Sequence, residues 1–323
     1  MTVLAGSSSG APATTFSTAV GRLSRLSVER HFDAYADVDW DSPEMALDPA
    51  DPRFELSSLD PLAGTGWYRS QPAEVRARIG CWRYATYMKT GWHFENLLQR
   101  GLLAYVMDLP DGAAEFRYAH HELIEESQHT LMFGEFIART GLPVRGMPRR
   151  LVRLIEMGGP KVVRRSPLLF FIGVLGGEEP IDNQQRRLLS SGDPLHPLVE
   201  RIMRIHVTEE ARHLSFARAV ITRDAGRLNR RQRHLVALLA PIALGTLTRV
   251  MLRPPRDMIR QFDIPEAVVA EAYRSAEARR IASDAVARTR RLLDDLGLVT
   301  RLSRRVWDRM GIGAAPQPKE VAA

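Results

Sequence analysis

Glu122-Leu-Ile-Glu125-Glu126-Ser-Gln-His129 and His206-Val-Thr-Glu209-Glu210-Ala-Arg-His213 are the two stretches that decide how this chain folds. Each lies inside a long segment of helical periodicity. In each, a glutamate and a histidine stand three positions apart: Glu126 with His129, and Glu210 with His213. That spacing sends both side chains out of one helix face. His206 lies one turn before Glu210, so His206, Glu210 and His213 make a single i, i+4, i+7 stripe. The stripe takes the positions that an amphipathic helix reserves for its apolar seam. Acids facing a core need a counter-charge, because burying an unpaired ion costs several kcal/mol.

Around these two runs the chain reads as helix almost throughout. Helical-period segments are expected at 16–36, 72–108, 113–140, 168–190, 196–222, 230–252 and 265–294, with a short one at 299–309. The breaks carry turn residues: Gly64-Thr-Gly66, Pro110-Asp-Gly112, Gly141-Leu-Pro143, Gly192-Asp-Pro194 and Arg253-Pro-Pro255. Sustained period-two alternation is missing, and no repeat of solenoid length is seen. Long helices with short connections favour an antiparallel bundle, so the expected class is all-α.

Two Glu-x-x-His pairs on two helices, completed by one glutamate from each of two others, is the arrangement that holds two iron or manganese ions inside a four-helix bundle. Carboxylate oxygens hold and bridge such ions, and imidazoles complete the coordination while leaving positions open for oxygen. The two remaining acids should sit in the middle of the other long helices. Glu95 is the one acid deep inside the 72–108 segment, flanked on its face by Tyr84, Met88, Leu98 and Leu102. Glu178 and Glu179, in Gly176-Gly177-Glu178-Glu179-Pro180, are the candidates on the 168–190 segment. They point about 100° apart on a helix, so only one can face the ions. Four carboxylates, one from each helix, balance two divalent cations.

The order of these residues resembles that of the para-aminobenzoate N-oxygenases of the aureothin type, which are ferritin-like di-iron proteins. That pattern is a lone Glu, a Glu-x-x-His about thirty residues on, another lone Glu, and a closing His-x-x-x-Glu-x-x-His. Glu95, then Glu126 and His129, then His206, Glu210 and His213 match it in turn. Glu179 fits the second lone acid by its distance to His206. His206 is the telling residue, since most ferritin-like di-iron enzymes lack this additional ligand. The resemblance covers roughly residues 70–290. It implies a ferritin-like four-helix bundle with additional flanking helices and a site of two iron ions, Fe/Fe or Mn/Fe. The implied activity is oxygen activation, with oxidation of the nitrogen of an arylamine or related small amine. No flavin or ferredoxin motif is present, so electrons come from a partner reductase or ferredoxin, or from peroxide. Two other readings stand beside it: a di-iron hydroxylase or desaturase acting on carbon, and a ferroxidase or metal-handling ferritin-like protein.

Composition agrees with a helical enzyme and narrows its surroundings. The chain has 323 residues, of which 45% are hydrophobic and 26% charged, enough apolar material for a large core. Its single cysteine, Cys81, excludes an internal disulfide and any thiolate-built zinc or iron–sulfur site, and it points to a reducing, cytoplasmic setting. The net charge of +7 is carried almost entirely by arginine, the lysines being Lys89, Lys161 and Lys319. Arginine is spread from Arg22 to Arg309 with no recognisable module, which argues against a nucleic-acid partner. The most apolar stretch, Leu235 to Leu252, is interrupted by Pro241, Gly245 and Arg249 and reads as a core helix rather than a membrane span.

Residues 1–15 read as a flexible leader, 16–312 as one helical domain, and 313–323 as a flexible tail. The apolar faces of 16–36, 230–252 and 265–294 exceed what one bundle needs, which predicts a homodimer. Residues one turn from the ligands are the expected substrate contacts: Tyr84 and Trp92 near Glu95, Asn183 near Glu179, and Arg186 placed to meet a substrate carboxylate. Glu122 and Glu125 are expected to support the ligands or to face solvent. His93, His120, His121, His196 and His234 are expected to have no role in metal binding.

Overall fold

The computed structural model describes residues 11–313, and among them the secondary structure is helical with no strand. In chain order the helices are α1 (Ala11–Glu29), α2 (Gly66–Arg69), α3 (Ala73–Val106), α4 (Ala114–Thr140), α5 (Arg149–Arg165), α6 (Pro167–Ser190) and α7 (Pro197–Ala225). They are followed by α8 (Arg230–Leu252), α9 (Arg256–Gln261), α10 (Glu266–Tyr273), α11 (Ala276–Ala285), α12 (Ala287–Asp295) and α13 (Arg301–Met310).

The four expected segments that carry the candidate acids form the bundle. α3 packs along α4 and α6 along α7, and the two pairs meet through α3 against α6 and α4 against α7. The ends are set by local chemistry. The Ser166 side chain accepts from the Leu169 N–H at the start of α6, with Pro167 in the first turn, where its missing N–H costs nothing. His196 does the same for α7: its ring nitrogen accepts from the Leu198 N–H, and the ring stacks on Phe54 at 4.4 Å. It thus ends the preceding loop as a buried helix cap. Gly141, at φ +63°, closes α4 in the left-handed conformation that glycine adopts without strain.

The bundle is wrapped rather than bare. α1 lies over α4 and α7, α5 spans α3 and α6, α8 and α11 pack on α6, and α13 packs on α8. Helix α8 continues into the most apolar part of the chain, and the stretch Arg230–Gln261 is long and apolar enough to cross a membrane by length and composition. Here Val236, Ala240, Leu244, Leu247 and Met251 are buried, and α8 packs against α6.

Several expected boundaries move. α5 was not expected, no segment having been read between 140 and 168; it runs helical through Gly158-Gly159-Pro160, with Leu151, Val152, Ile155 and Val163 packing on the core beneath. The segment 265–294 is three helices, broken at Arg274 and Val286, where the backbone leaves helical geometry and Ser275 caps α11. α1 begins at Ala11, so residues 11–15 belong to it rather than to a leader. Residues 1–10 of that expected leader, and the expected tail after Gly313, lie outside the described residues.

The core is split in two along the bundle axis. One apolar cluster holds Leu98 and Leu102 of α3, Tyr118 of α4, Phe171 and Leu175 of α6, and Leu214 and Phe216 of α7. The other holds Tyr84 and Met88 of α3, Met132, Phe133 and Phe136 of α4, and Ile202, Met203 and Ile205 of α7. Between them, at mid-height on all four helices, lies a layer of buried acids and histidines.

Candidate metal centre

That middle layer contains Glu95 from α3, Glu126 and His129 from α4, Glu178 from α6, and His206, Glu210 and His213 from α7, each at most 3% exposed. Their ligand atoms fall into three overlapping groups, each within 4.8 Å: Glu95, His129, His206 and Glu210; Glu126, Glu210 and His213; and Glu95, Glu126 and Glu178. Glu95, Glu126 and Glu210 each belong to two groups, as bridging or shared ligands of a two-ion site would.

The acid from α6 is Glu178, not the expected Glu179. α6 stays a single helix through Pro180, so residues 178 and 179 keep their roughly 100° separation. Glu178 joins Glu95 and Glu126, whereas Glu179 turns toward Arg218 at 3.0 Å and toward the Thr289 N–H at 3.1 Å and its hydroxyl. Counting back from His206 misleads because residues 191–196 form a loop that uncouples the register of α6 from that of α7.

Each of two histidines is fixed by the helix opposite. His129 on α4 presents Nδ1 to Glu126 at 3.2 Å and uses Nε2 to bond Glu209 of α7 at 2.9 Å. His213 on α7 presents Nδ1 to Glu210 at 3.1 Å and to Glu126 at 3.0 Å, while Nε2 bonds Glu125 of α4 at 2.7 Å. The doubled acids of the two Glu-Glu-x-x-His runs therefore have split roles: the second of each pair is a candidate ligand and the first braces the other helix's histidine. A carboxylate on the far nitrogen sets the tautomer and leaves Nδ1 free for a cation. Arg212 joins the two braces, donating to Glu125 at 2.7 Å and lying 3.5 Å from Glu209. Glu209 was missed in the sequence, although its place before Glu210 repeats that of Glu125 before Glu126.

The electrostatics are those of a site in need of positive charge. Burial, reinforced by Glu126 and Glu178, pushes the Glu95 carboxyl well above its usual range, and burial with Glu210 and Glu126 does the same to Glu178. Glu126 goes the other way: burial opposes its charge, but His213, Glu95 and His129 outweigh it. Burial also opposes the charge on His129, yet hydrogen bonds to Glu126 and Glu209 raise it to about 10. His206 is held neutral by burial and by the neighbouring His129, with its ring 4.6 Å from that of His129. Glu95 Oε2, Glu178 Oε1, Glu210 Oε2 and His206 Nδ1 are buried and find no hydrogen-bond partner in the protein. Buried polar atoms without partners are rare in folded proteins, and a hard cation satisfies carboxylate oxygens and a neutral imidazole together. The donor set fits two divalent ions. Glu122 lies one turn before Glu126, fully buried with neither oxygen bonded, its carboxyl pushed well up by burial.

A cavity reaches this layer from one side. It is lined by Glu95, Glu178 and His206 and otherwise mainly by apolar side chains, among them Met88, Phe94, Phe133 and Met203. Gly177 makes room for the Phe94 ring in its wall: a Cβ there would stand 2.2 Å from that ring. The four expected substrate contacts lie elsewhere. Tyr84 is packed against Phe54 and Tyr87, and Trp92 stands under Lys89, whose Nζ is 3.9 Å from its ring. Asn183 lines a neighbouring chamber, and Arg186 is tied to Asp182 at 2.7 Å and to the Val207 carbonyl at 2.6 Å. One turn along a helix fixes direction only when the helix face is known; here the cavity wall is made by Tyr87, Gln184 and Gln185 instead.

The chain is 44% identical over 295 residues to the uncharacterized proteins MT0908 and Rv0885 of Mycobacterium tuberculosis and Mb0909 of Mycobacterium bovis, covering 91% of this chain and 86% of each relative. No solved structure matches it. The family described as p-aminobenzoate N-oxygenase AurF matches residues 14–297, which takes in the bundle and every residue of the buried layer, and the chain belongs to that family.

Proposed function

We propose that the chain is a non-heme di-iron oxygenase that uses O2 to oxidise the nitrogen of a small amine. Membership of the family supports an oxygenase, and one observation carries the finer reading. Seven buried ligand groups, including the additional His206, converge where an apolar cavity opens onto Glu95, Glu178 and His206. Held by these residues, two iron ions would supply the binding and reduction of dioxygen.

The chain's own residues do the rest. Glu126, His129, Glu210 and His213 hold the ions from behind, with Glu125 and Glu209 keeping both imidazoles in the ligating tautomer. Phe94, Phe133, Met88 and Met203 keep water from the reacting side and give an uncharged amine an apolar berth. Tyr87, Gln184 and Gln185 are the polar groups of the cavity wall outside the ligand layer and are placed to orient it. Electrons come from a reductase, a ferredoxin or peroxide.

The test is to load the protein with iron, reduce it, expose it to oxygen and offer aryl and alkyl amines. Hydroxylamine, nitroso or nitro products are expected. Products hydroxylated or desaturated at carbon alone would replace this reading with that of a carbon oxygenase. Oxidation of ferrous iron to a mineral, with the amines untouched, would remove the enzyme assignment.

A further inference from the structure

Arg83 is 2% exposed, on the first half of α3 and away from the ligand layer. Its Nε donates to Asp60 at 3.0 Å and its Nη2 to the Leu252 carbonyl at 2.6 Å; the guanidinium lies 4.4 Å from the centre of the Tyr87 ring, and Nη1 makes no hydrogen bond. Thr248 of α8, 1% exposed, also has an unpartnered hydroxyl. Both line one chamber, whose mouth carries Arg187, Arg249, Arg253 and Arg279. Among the described residues none of these four pairs with a carboxylate. Asp60, the acid in the chamber wall, is already engaged by Arg83 and by the Tyr273 hydroxyl at 2.8 Å. Arg253 is held below its ordinary range by burial and by Arg249 and Arg274, as expected where guanidinium groups crowd together.

The chamber is the reverse of the metal layer: unbonded donors and positive charge face it, its carboxylate, Asp60, is engaged, and the unbonded acceptor in its wall is the neutral Gln184 Oε1. A buried donor left unsatisfied is costly, and guanidinium groups match the planar or tetrahedral oxygens of an oxyanion. We propose that this chamber is a binding site for a carboxylate or phosphate group, held by Arg83 Nη1 and the Thr248 hydroxyl and drawn in by the four arginines at the mouth.

The site stands without any assumption about the metals; its use in the reaction rests on the function proposed above. Tyr87 and Gln184 line both this chamber and the metal cavity, and the Gln184 side-chain amide donates to the Tyr87 hydroxyl at 2.7 Å between them. Two sources of the oxyanion are therefore distinguishable: either a free oxyanion fills the chamber alone, or the acid end of a longer molecule sits here while its body passes Gln184.

The experiment is calorimetric titration of the metal-free full-length protein with inorganic phosphate, an arylalkanoate, and the neutral amide of that arylalkanoate. The anions are expected to bind, more weakly at high salt, and the amide is not. Thr248→Val should weaken anion binding roughly 5- to 10-fold, the worth of one hydrogen bond. The double substitution of Arg249 and Arg253 by Gln should weaken it several-fold and flatten its salt dependence. Arg83→Gln should abolish it. Because Arg83→Gln strands Asp60 and can unfold the chain, the other variants carry the test, with circular dichroism and metal content read alongside. Wild-type iron content with lost anion binding separates this site from the metal reading. If Gln184→Ala alters arylalkanoate binding and leaves phosphate binding unchanged, the longer molecule is the occupant; if it alters neither, the free oxyanion is. Equal binding of anion and amide, or anion binding untouched in the Thr248 and arginine variants, overturns the proposal.

Discussion

The metal layer has a back and a front, and they are built differently. The back is the facing pair α4 and α7, which contributes Glu126, His129, Glu210 and His213. Each of its imidazoles is locked by a carboxylate from the opposite helix, and Arg212 ties the two locks together. The front is Glu95 of α3, Glu178 of α6 and His206 of α7, and these three line the cavity. Each front residue, the His206 imidazole included, keeps a buried polar atom with no hydrogen-bond partner, whereas in the back only the carboxylates Glu126 and Glu210 do and both imidazoles are bonded at each nitrogen. The back is overdetermined and the front is left free to answer a cation and whatever enters the cavity. A site that must hold its ions through a reaction yet open a face to substrate gains from that division of labour.

Breaking the back should have the largest effect. Glu126→Gln or His213→Ala is expected to reduce the metal content from about two ions per chain to one or fewer, as loss of a shared ligand requires; elemental analysis of the folded variants measures it. Next come the braces. Glu125→Gln and Glu209→Gln leave every ligand in place but remove the charged partner of one imidazole, and each is expected to weaken metal affinity about 10- to 100-fold, read by competition with a chelator. If both bind metal as tightly as the parent chain, the back owes its rigidity to packing alone.

The back also predicts a pH signature. In the metal-free protein His129 is raised from 6.5 to about 10. A histidine with a raised value stabilises the fold fully below its unfolded pKa and loses that contribution as pH climbs through the folded one. The thermal midpoint of the metal-free protein should therefore fall as pH rises from neutral toward about 10, and that of His129→Gln should fall less. Metal displaces the same proton, so loading at neutral pH should release acid into a weak buffer.

The front responds through shape. Gly177→Ala places a methyl 2.2 Å from the Phe94 ring, and overpacking of that kind costs about 1–3 kcal/mol. Metal content should survive while amine turnover falls, because the group intrudes on the cavity and not on a ligand. The smallest effect belongs to Glu179→Gln. It weakens the contacts to Arg218 and Thr289 and is expected to cost about 1–2 kcal/mol of stability, with metal content unchanged. The same change at Glu178 should lower metal content, and a result with the two residues exchanged would restore the sequence-based choice.

The difference between back and front also explains what could be read without a structure. Glu126, His129, His206, Glu210 and His213 were legible because spacing within one continuous helix fixes direction: positions three, four and seven apart must share a face, whatever the helix packs against. Glu95 was legible as the one acid among apolar neighbours on its face. The bundle and its all-α class followed from the same periodicity. The choice between Glu178 and Glu179 was not available in that way, since neighbouring residues on a helix differ only in direction. Direction is settled by where α6 lies against α3, α7 and α12. Glu209 and Glu125 became braces only when α4 and α7 faced each other. That Tyr84, Trp92, Asn183 and Arg186 do not line the metal cavity has the same origin, as does the chamber at Arg83, which gathers side chains from the loop at Asp60, α3, α6, α8 and α11. The sequence by itself determined which helices carry the chemistry and which face of α4 and α7 bears it, because helical geometry is local. Only the tertiary structure decided which acid of α6 joins them, which residues hold the histidines and where the cavities run, because those depend on contacts between helices that no local spacing encodes.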